Sequence, residues 1–414
     1  MFPINLRINS DRFQANFRSL AQIGASEDGG INRTTFSPAH LQAREWFRDR
    51  ITDANLELHM DSAGNHSAIL RCISANAPTL LLGSHLDSVP NGGMFDGALG
   101  VLAALEVLQT VQDEKLSLPF HLEAIDFTDE EGTLMGFLGS GALTGKLTTN
   151  DLLEPRGSRQ TFLDLIALAG LTEDGLYNAR RNNHSLVGYL ELHIEQGEHL
   201  CKAEANIGIV TNIVGIGSYQ IIFTGRANHS GTTSMQSRLD AAQGVSAFTL
   251  EVRKLIIKDF PDCVANIGNI SIEPGAFNIV PERAIASLEY RAPTTELLEH
   301  LETALLDLAK EQAKRFNLDL ETKNLGLHPP APMDIEIQAI FKRAAHTLGL
   351  SAISMNSGAG HDAQLLVEIC PAGMVFVPSI DGISHSPREY TTWSDCVNGA
   401  NMLLLAVLDL SSQY

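Results

Sequence analysis

Four apolar runs in this chain are each followed at once by histidine or carboxylate. TLLLG from Thr79 runs into SHLDSVPNGGMFDG, which carries His85, Asp87 and Asp96. FHLEAIDF from Phe120 runs into TDEEG, where Asp129, Glu130 and Glu131 stand side by side. His193 of HIEQG closes YLEL, and GMVFVPS leads to DGISHSP with His385. Imidazole nitrogen and carboxylate oxygen without thiolate suit Zn²⁺, Mn²⁺, Co²⁺ or Ni²⁺. His85, Asp96, Glu131, His193 and His385 are more ligands than one tetrahedral ion needs. Since a carboxylate can bridge two ions, a dinuclear centre is the economical arrangement. The adjacent acids ask for a positive partner too, because each disfavours ionisation of its neighbours. Singly, each residue has a plainer reading: His193 as a hydrogen-bonded histidine, Asp87 and Asp96 as turn residues, Glu130 and Glu131 as a solvated loop. The residues alone leave both readings open.

Such a site needs strands whose carboxyl ends lie on one sheet edge, where ligands bind in open α/β folds. SAILRC, TLLLG, ALGVLAALEVLQTVQ and FHLEAIDF predict strand, strand, helix, strand, the rhythm of an α/β domain, with further strands at YLELHI and GMVFVP. Between about Gly215 and His328 the pattern changes. SYQIIFTGR, a long amphipathic stretch, ANIGNISIE, AIASLEYR, a second helical stretch and LDLETK give β-α-β-β-α-β, a ferredoxin-like α+β unit. NLGLHPPAPMD from Asn324 reads as a Pro-rich linker, since the proline pair cannot continue a regular element. The expected division is 1–214 with 328–414 as one domain and 215–327 inserted into it.

A chain of 414 residues exceeds what one core usually holds, and 44% hydrophobic with 19% charged residues is ordinary globular composition. The formal charge of −20 and the lack of a basic cluster argue against nucleic acid. MFPINLRINSDRF has no apolar leader core, and MLLLAVL from Met402 is too short to span a bilayer, so no membrane partner is expected. Five scattered cysteines without CxxC spacing fit neither a disulfide framework nor a thiolate zinc site. The expected compartment is a reducing cytoplasm.

GSHLDSVPNGGMFDGALG, DEEG, LELHIEQG, GRANHSGTTSMQSRLDA, SGAGHDAQ and FVPSIDGISHSP, in this order over nearly the whole chain, resemble the amidohydrolase branch of the M20 metallopeptidase family. That branch includes N-carbamoyl-L-amino-acid hydrolases, β-ureidopropionases and allantoate amidohydrolases. The resemblance implies an α/β catalytic domain holding two divalent metal ions and an inserted lid domain that dimerises. By motif, His85 and His193 would hold one ion, Glu131 and His385 the other, and Asp96 would bridge them. Asp87 would accept the His85 imidazole N–H, and Glu130 would be the general base. Gln196 and the loop Gly358, Ala359, Gly360 would contact substrate. On the lid, His229 would reach the partner subunit's site and steady an oxyanion, while Asn278 and Arg291 would grip a substrate carboxylate. Asp129 is left as structural.

The implied reaction is hydrolysis of the ureido C–N bond of an N-carbamoyl-L-amino acid. Allantoate hydrolysis is the alternative, followed by aminoacylase or dipeptidase activity and then by a non-catalytic relative. Peptidase members of the clan usually have a carboxylate at the His193 position, which points to ureido substrates. The chain departs from the family pattern in three places. TLMGFLGS after DEEG is about two residues short and lacks the usual Arg-Phe. Ser234 replaces a proline, and Glu289 replaces the Asp before the lid arginine.

Overall fold

The structure, a computed structural model, describes residues 5–72, 74–182 and 185–414, so the first four residues of the opening segment lie outside it. Its strands in chain order are β1 (Glu57–Met60), β2 (His66–Leu70), β3 (Thr79–His85), β4 (His121–Phe127), β5 (Leu186–Ile194), β6 (Ile207–Ile213) and β7 (Gly215–Thr224). They continue with β8 (Val264–Glu273), β9 (Arg283–Ala292), β10 (Asp319–His328), β11 (Ala331–Pro332), β12 (Ala352–Ser357) and β13 (Ala372–Val377). Among the described residues no helix is long and apolar enough to cross a membrane.

The chain divides into two compact units, residues 1–211 with 332–414, and residues 212–331. The first is built on a mixed sheet of order β1-β2-β4-β3-β5-β13-β6-β11, with β12 paired to β6. At its centre β4, β3, β5 and β13 are mutually parallel neighbours. These are the four apolar runs singled out in the sequence. They are buried throughout except at the first residues of β3 and β5, as parallel strands covered on both faces must be. The helix Ala98–Asp113 is apolar nearly all round because it lies between this sheet and the equally apolar helix Trp393–Ser411. Its one buried acid, Glu106, is paired to Arg12 at 2.7 Å. Short helices such as Leu138–Thr144 and Ala363–Leu366 pack against β4, β5 and β13.

The second unit has the expected β-α-β-β-α-β element order, with a wholly antiparallel sheet β10-β7-β9-β8. Its helices are Ala241–Asp259 and Thr295–Phe316. Phe223, Phe248, Leu288, Leu301 and Leu305 lie in its own separate core. The linker expectation from Asn324 is corrected: β10 stays paired to β7 as far as His328, passing an irregularity at Gly326. Backbone pairing to β7 outweighs the turn-prone composition there, and the two prolines act only beyond His328.

Candidate metal centre

Parallel order puts the carboxyl ends of β4, β3, β5 and β13 on one edge, and the candidate ligands follow from it. His85 ends β3 level with Phe127 of β4, and His193 on β5 is level with Phe376 of β13. Glu130 and Glu131 follow β4, His385 follows β13, and Asp96 sits just before the helix Ala98–Asp113. Gly97, which joins Asp96 to that helix, has φ +61°, and a Cβ there would lie 2.4 Å from the His85 ring. Only glycine fits this approach.

The side chains converge on Asp96. Its Oδ1 lies 3.0 Å from His193 Nε2 and 3.6 Å from His85 Nε2, and its Oδ2 lies 3.4 Å from His385 Nε2. Glu131 Oε2 is 3.5 Å from the same His385 nitrogen, and Glu130 Oε2 is 3.6 Å from His85 Nε2. Two three-residue groupings therefore share Asp96, one with His85 and His193 and one with Glu131 and His385. His85, Asp96 and His193 are buried and Glu131 is partly buried, while His385 is 51% exposed and opens the site to solvent.

These residues fit divalent cations for a reason beyond residue type. His193 Nδ1 lies 2.9 Å from the Ile194 carbonyl and His85 Nδ1 lies 3.1 Å from the Asp87 carbonyl. Each Nδ1 is thus the N–H donor, so each Nε2 is left as an acceptor: that of His85 turns its lone pair toward Asp96, and that of His193 faces Asp96 Oδ1 while taking the Gly97 N–H at 3.2 Å. Asp96 Oδ1 and Glu131 Oε1 are buried without a hydrogen bond of acceptable geometry. Lone pairs facing one another need a proton or a cation between them. Ligands on a tetrahedral ion at about 2.1 Å stand about 3.4 Å apart, close to the separations found here.

The electrostatics agree. Burial, then the charges of Glu131 and other nearby acids, drives Glu130 well above the ordinary carboxylate range, and burial with Asp96 does the same to Glu131. Burial would also raise Asp96, but His193, His385 and His85 hold it well below the usual value. Burial disfavours the His193 imidazolium, yet Asp96 takes its pKa up to about 9. The site is negative beyond what its own histidines offset, which is what a cation pair would correct.

The three adjacent acids separate in space. Asp129 turns inward at φ +57° and accepts the backbone N–H groups of Leu134, Met135 and Gly136 at 2.8–3.2 Å. Arg156 donates from Nη1 to the Gly132 carbonyl and from its backbone N–H to the Leu134 carbonyl, at 2.8 and 2.6 Å. The shortened loop is thus closed by one acid inside and one arginine outside. Deeper, Arg44 binds Asp126 at 2.9 Å while Asp126 Oδ1 accepts the Leu86 N–H at 2.8 Å, tying the ends of β3 and β4 together.

The expected role of Asp87 is corrected. The His85 imidazole N–H meets the Asp87 main-chain carbonyl, and the carboxylate is 3.6 Å away, too far for a good hydrogen bond. That carboxylate instead accepts the backbone N–H groups of Glu130 (3.4 Å) and Glu131 (3.2 Å) and the Thr35 hydroxyl (3.1 Å). It faces the acid loop because that loop presents unpaired N–H groups.

Gln196 joins the cluster, its Nε2 donating to Asp96 Oδ2 at 2.8 Å. The loop Gly358–Gly360 follows β12. Ser357 Oγ anchors it through the Ala359 N–H and His361 Nε2, and the His361 ring packs edge-on against His193 at 4.5 Å.

His229, Asn278 and Arg291 belong to the second unit. His229 pairs with Ile279, and the Asn278 carbonyl accepts the Ser230 N–H at 3.0 Å, so His229 and Asn278 are neighbours. Arg291 is held by Glu289 Oε1 through Nε and Nη2 at 2.9 and 2.8 Å. Asn278 lies in the loop before Arg283, the first residue of β9, whereas Arg291 is near that strand's other end. Eight residues of strand are about 27 Å, so Asn278 and Arg291 of one chain cannot grip the same carboxylate. The pair as expected from the sequence would have to come from two copies of the chain.

Sequence reasoning overlooked Glu389, Arg44, Arg156 and His361. Each is an ordinary charged or polar residue whose significance lies in a contact distant in sequence. The only available signals were the nearness of Glu389 to His385 and of His361 to the SGAG motif.

A family model described as peptidase family M20/M25/M40 matches residues 81–409. An N-carbamoyl-L-amino acid amidohydrolase of Geobacillus stearothermophilus is 35% identical, covering 98% of this chain and 99% of its own. An allantoate amidohydrolase of Bacillus subtilis is 34% identical, covering 90% and 91%. Among solved structures, an amidase of the hydantoinase/carbamoylase family from Burkholderia multivorans superposes with a TM-score of 0.87 at 30% identity, covering 98% of both chains.

Proposed function

This chain belongs to peptidase family M20/M25/M40, and from that premise we propose that it is a metal-dependent amidohydrolase of non-peptide C–N bonds. Its substrate on this reading is an N-carbamoyl-L-amino acid, split into amino acid, CO₂ and ammonia. The observation that carries the reading is the imidazole of His193 facing Asp96 Oδ1 at 3.0 Å beside His85, at the position where clan peptidases usually have a carboxylate. The relative from Geobacillus, 35% identical over nearly the whole chain, supports it. Allantoate is the second reading, favoured by the 34% identical Bacillus relative.

His85, His193, Asp96, Glu131 and His385 would hold divalent cations, which when bound would supply Lewis acidity for activating water and polarising the scissile carbonyl. Glu130, buried next to His85, takes the proton from the attacking water and delivers it to the leaving nitrogen. Gln196 and the Gly358–Gly360 loop orient the ureido group. The first unit is the catalytic domain and the second a lid and dimerisation domain. Arg291 anchors the substrate carboxylate by bidentate bonds, while His229 and Asn278 serve the site of the partner copy, His229 steadying the oxyanion. The length of β9 between them, about 27 Å, supports this division.

A homodimer through the lid has physical support in β8, an edge strand of its sheet. Val264, Ile270 and Ile272 of β8 are exposed, as are Leu250 and Ile257 on the adjacent helix Ala241–Asp259. Edge strands with exposed apolar residues are usually covered. Cys72, Cys201, Cys263, Cys370 and Cys396 are all free thiols, which supports a cytoplasmic setting.

The test is ammonia and amine release by protein loaded separately with Mn²⁺, Co²⁺, Ni²⁺ or Zn²⁺. The panel comprises N-carbamoyl-L-amino acids, β-ureidopropionate, allantoate, N-acetyl amino acids and dipeptides. Turnover confined to dipeptides or N-acetyl amino acids would overturn the reading. Glu130→Gln should keep its metal and lose about 10²–10⁴-fold in kcat.

A further inference from the structure

One buried carboxylate near the cluster has no part in the chemistry described so far. Glu389 is 4% exposed, four residues beyond His385. Its Oε1 accepts the backbone N–H groups of Phe95 (3.0 Å) and Asp96 (3.1 Å). Its Oε2 accepts from the Ser384 hydroxyl at 2.9 Å, and that hydroxyl also lies 3.1 Å from Asp96 Oδ2. The fit is close: a Cβ on Gly93 would fall 1.9 Å from Glu389 Oε1, so only glycine lets the carboxylate reach these amides. Among the described residues Glu389 has no ion pair with Lys, Arg or His. A buried carboxylate held only by amides and a hydroxyl costs stability that a structural tether could avoid, since a neutral glutamine would accept the same two N–H groups.

From these contacts we infer that Glu389 is a positioning residue for the cation held by Asp96, Glu131 and His385. It fixes the main chain at Asp96 and, through Ser384, both the Asp96 Oδ2 and the residue adjoining His385. Two loops nearly 300 residues apart in sequence meet at this carboxylate, and their ligands face each other at 3.4 Å. Its negative charge also adds to the attraction for a cation on that side. The His85 and His193 side has its own supports, the Asp87 and Ile194 carbonyls. Loss of Glu389 therefore falls most heavily on the Oδ2 side of the shared Asp96, where Ser384 and His385 meet it. This inference rests on the reading that the cluster holds divalent cations.

The experiment is stepwise titration of metal-free full-length protein with Co²⁺, followed by calorimetry and by the visible absorption of the bound ion, alongside melting of the metal-free protein. Wild type should take up two ions. Glu389→Gln should bind one of them about 10–100-fold more weakly, weaken the other by a clearly smaller factor, and melt close to wild type without metal. Ser384→Ala should weaken the same ion by a smaller factor, and it decides the matter if Glu389→Gln does not fold. Unchanged affinities in the folded variants overturn the inference. Equal weakening of both ions together with a lower melting temperature overturns it as well, by making Glu389 a structural tether. If wild type itself binds no Co²⁺, the reading of the cluster fails first and this inference falls with it.

Discussion

Replacing Asp87 by alanine tests how the acid loop is held against its strands. The change removes acceptors for the Glu130 and Glu131 N–H groups and for the Thr35 hydroxyl, at 3.1–3.4 Å, from a position with no solvent exposure. An orphaned buried N–H costs about 1–3 kcal/mol. Because both backbone bonds are long, the lower half of that range applies, giving a total of about 2–4 kcal/mol. The loss should appear in the metal-free protein as a lower urea midpoint and a melting temperature reduced by several degrees. The bond from His85 Nδ1 to the Asp87 carbonyl is main-chain and survives the substitution, so orientation of His85 should be kept. The kinetic damage should fall on kcat, through Glu130, with KM changed little. Asp87→Asn, which retains one acceptor oxygen, should lie between alanine and wild type. An alanine variant that unfolds in EDTA at the wild-type urea concentration would refute the tether. So would one with normal kcat and a selectively weakened ion on the His85 side.

Three further outcomes are expected. Arg291→Ala should raise KM about 10–100-fold for substrates bearing a carboxylate, from the loss of charge-assisted bonds of roughly 1.5–3 kcal/mol, and leave their carboxamide analogues unaffected; an equal effect on both would rule out anchoring. His66 is pushed down to about 3 by burial, aided by Arg44. Over the interval from that value up to the free-histidine value near 6.5 the unfolded chain carries a proton on this residue that the folded one does not, so stability rises with pH by about 1.4 kcal/mol per unit. His66→Gln should flatten that slope by one proton in urea melts recorded across the interval, and an unaltered slope would show that His66 titrates normally. Burial pushes the Cys370 thiol up to about 12 and raises Cys263 and Cys396 too. Iodoacetamide at pH 8 should therefore leave these three unlabelled in native protein, as read by peptide mass spectrometry, while urea exposes them.

The apolar runs at β3, β4, β5 and β13 and the helix Ala98–Asp113 were readable because a strand buried on both faces must be apolar throughout and ends where polar residues begin. The same logic marked His85, Glu130, Glu131, His193 and His385, each lying at or beyond such an end. The element order of the second unit was legible as well, since alternation and helical periodicity are local properties. Where β10 ends was not legible, because its last residues are held by pairing to β7 rather than by their own propensity.

What only the tertiary structure decided is direction and partnership. By residue type alone Asp129, Glu130 and Glu131 are three equivalent acids, told apart in the sequence only by the family resemblance; in the fold, one caps its own loop and the other two turn toward different histidines. Asp87 lies two residues from His85, yet its carboxylate serves the acid loop more than forty residues on. Glu389 gains its contacts with Asp96 only because β3, β5 and β13 run parallel side by side, which brings the loops that follow β3 and β13 to the same edge. Asn278 and Arg291, thirteen residues apart, are separated by the length of a strand. Local sequence sets which residues are apolar, charged or able to turn. Which of them meet depends on strand order and register, and those follow from how the whole chain buries its apolar faces.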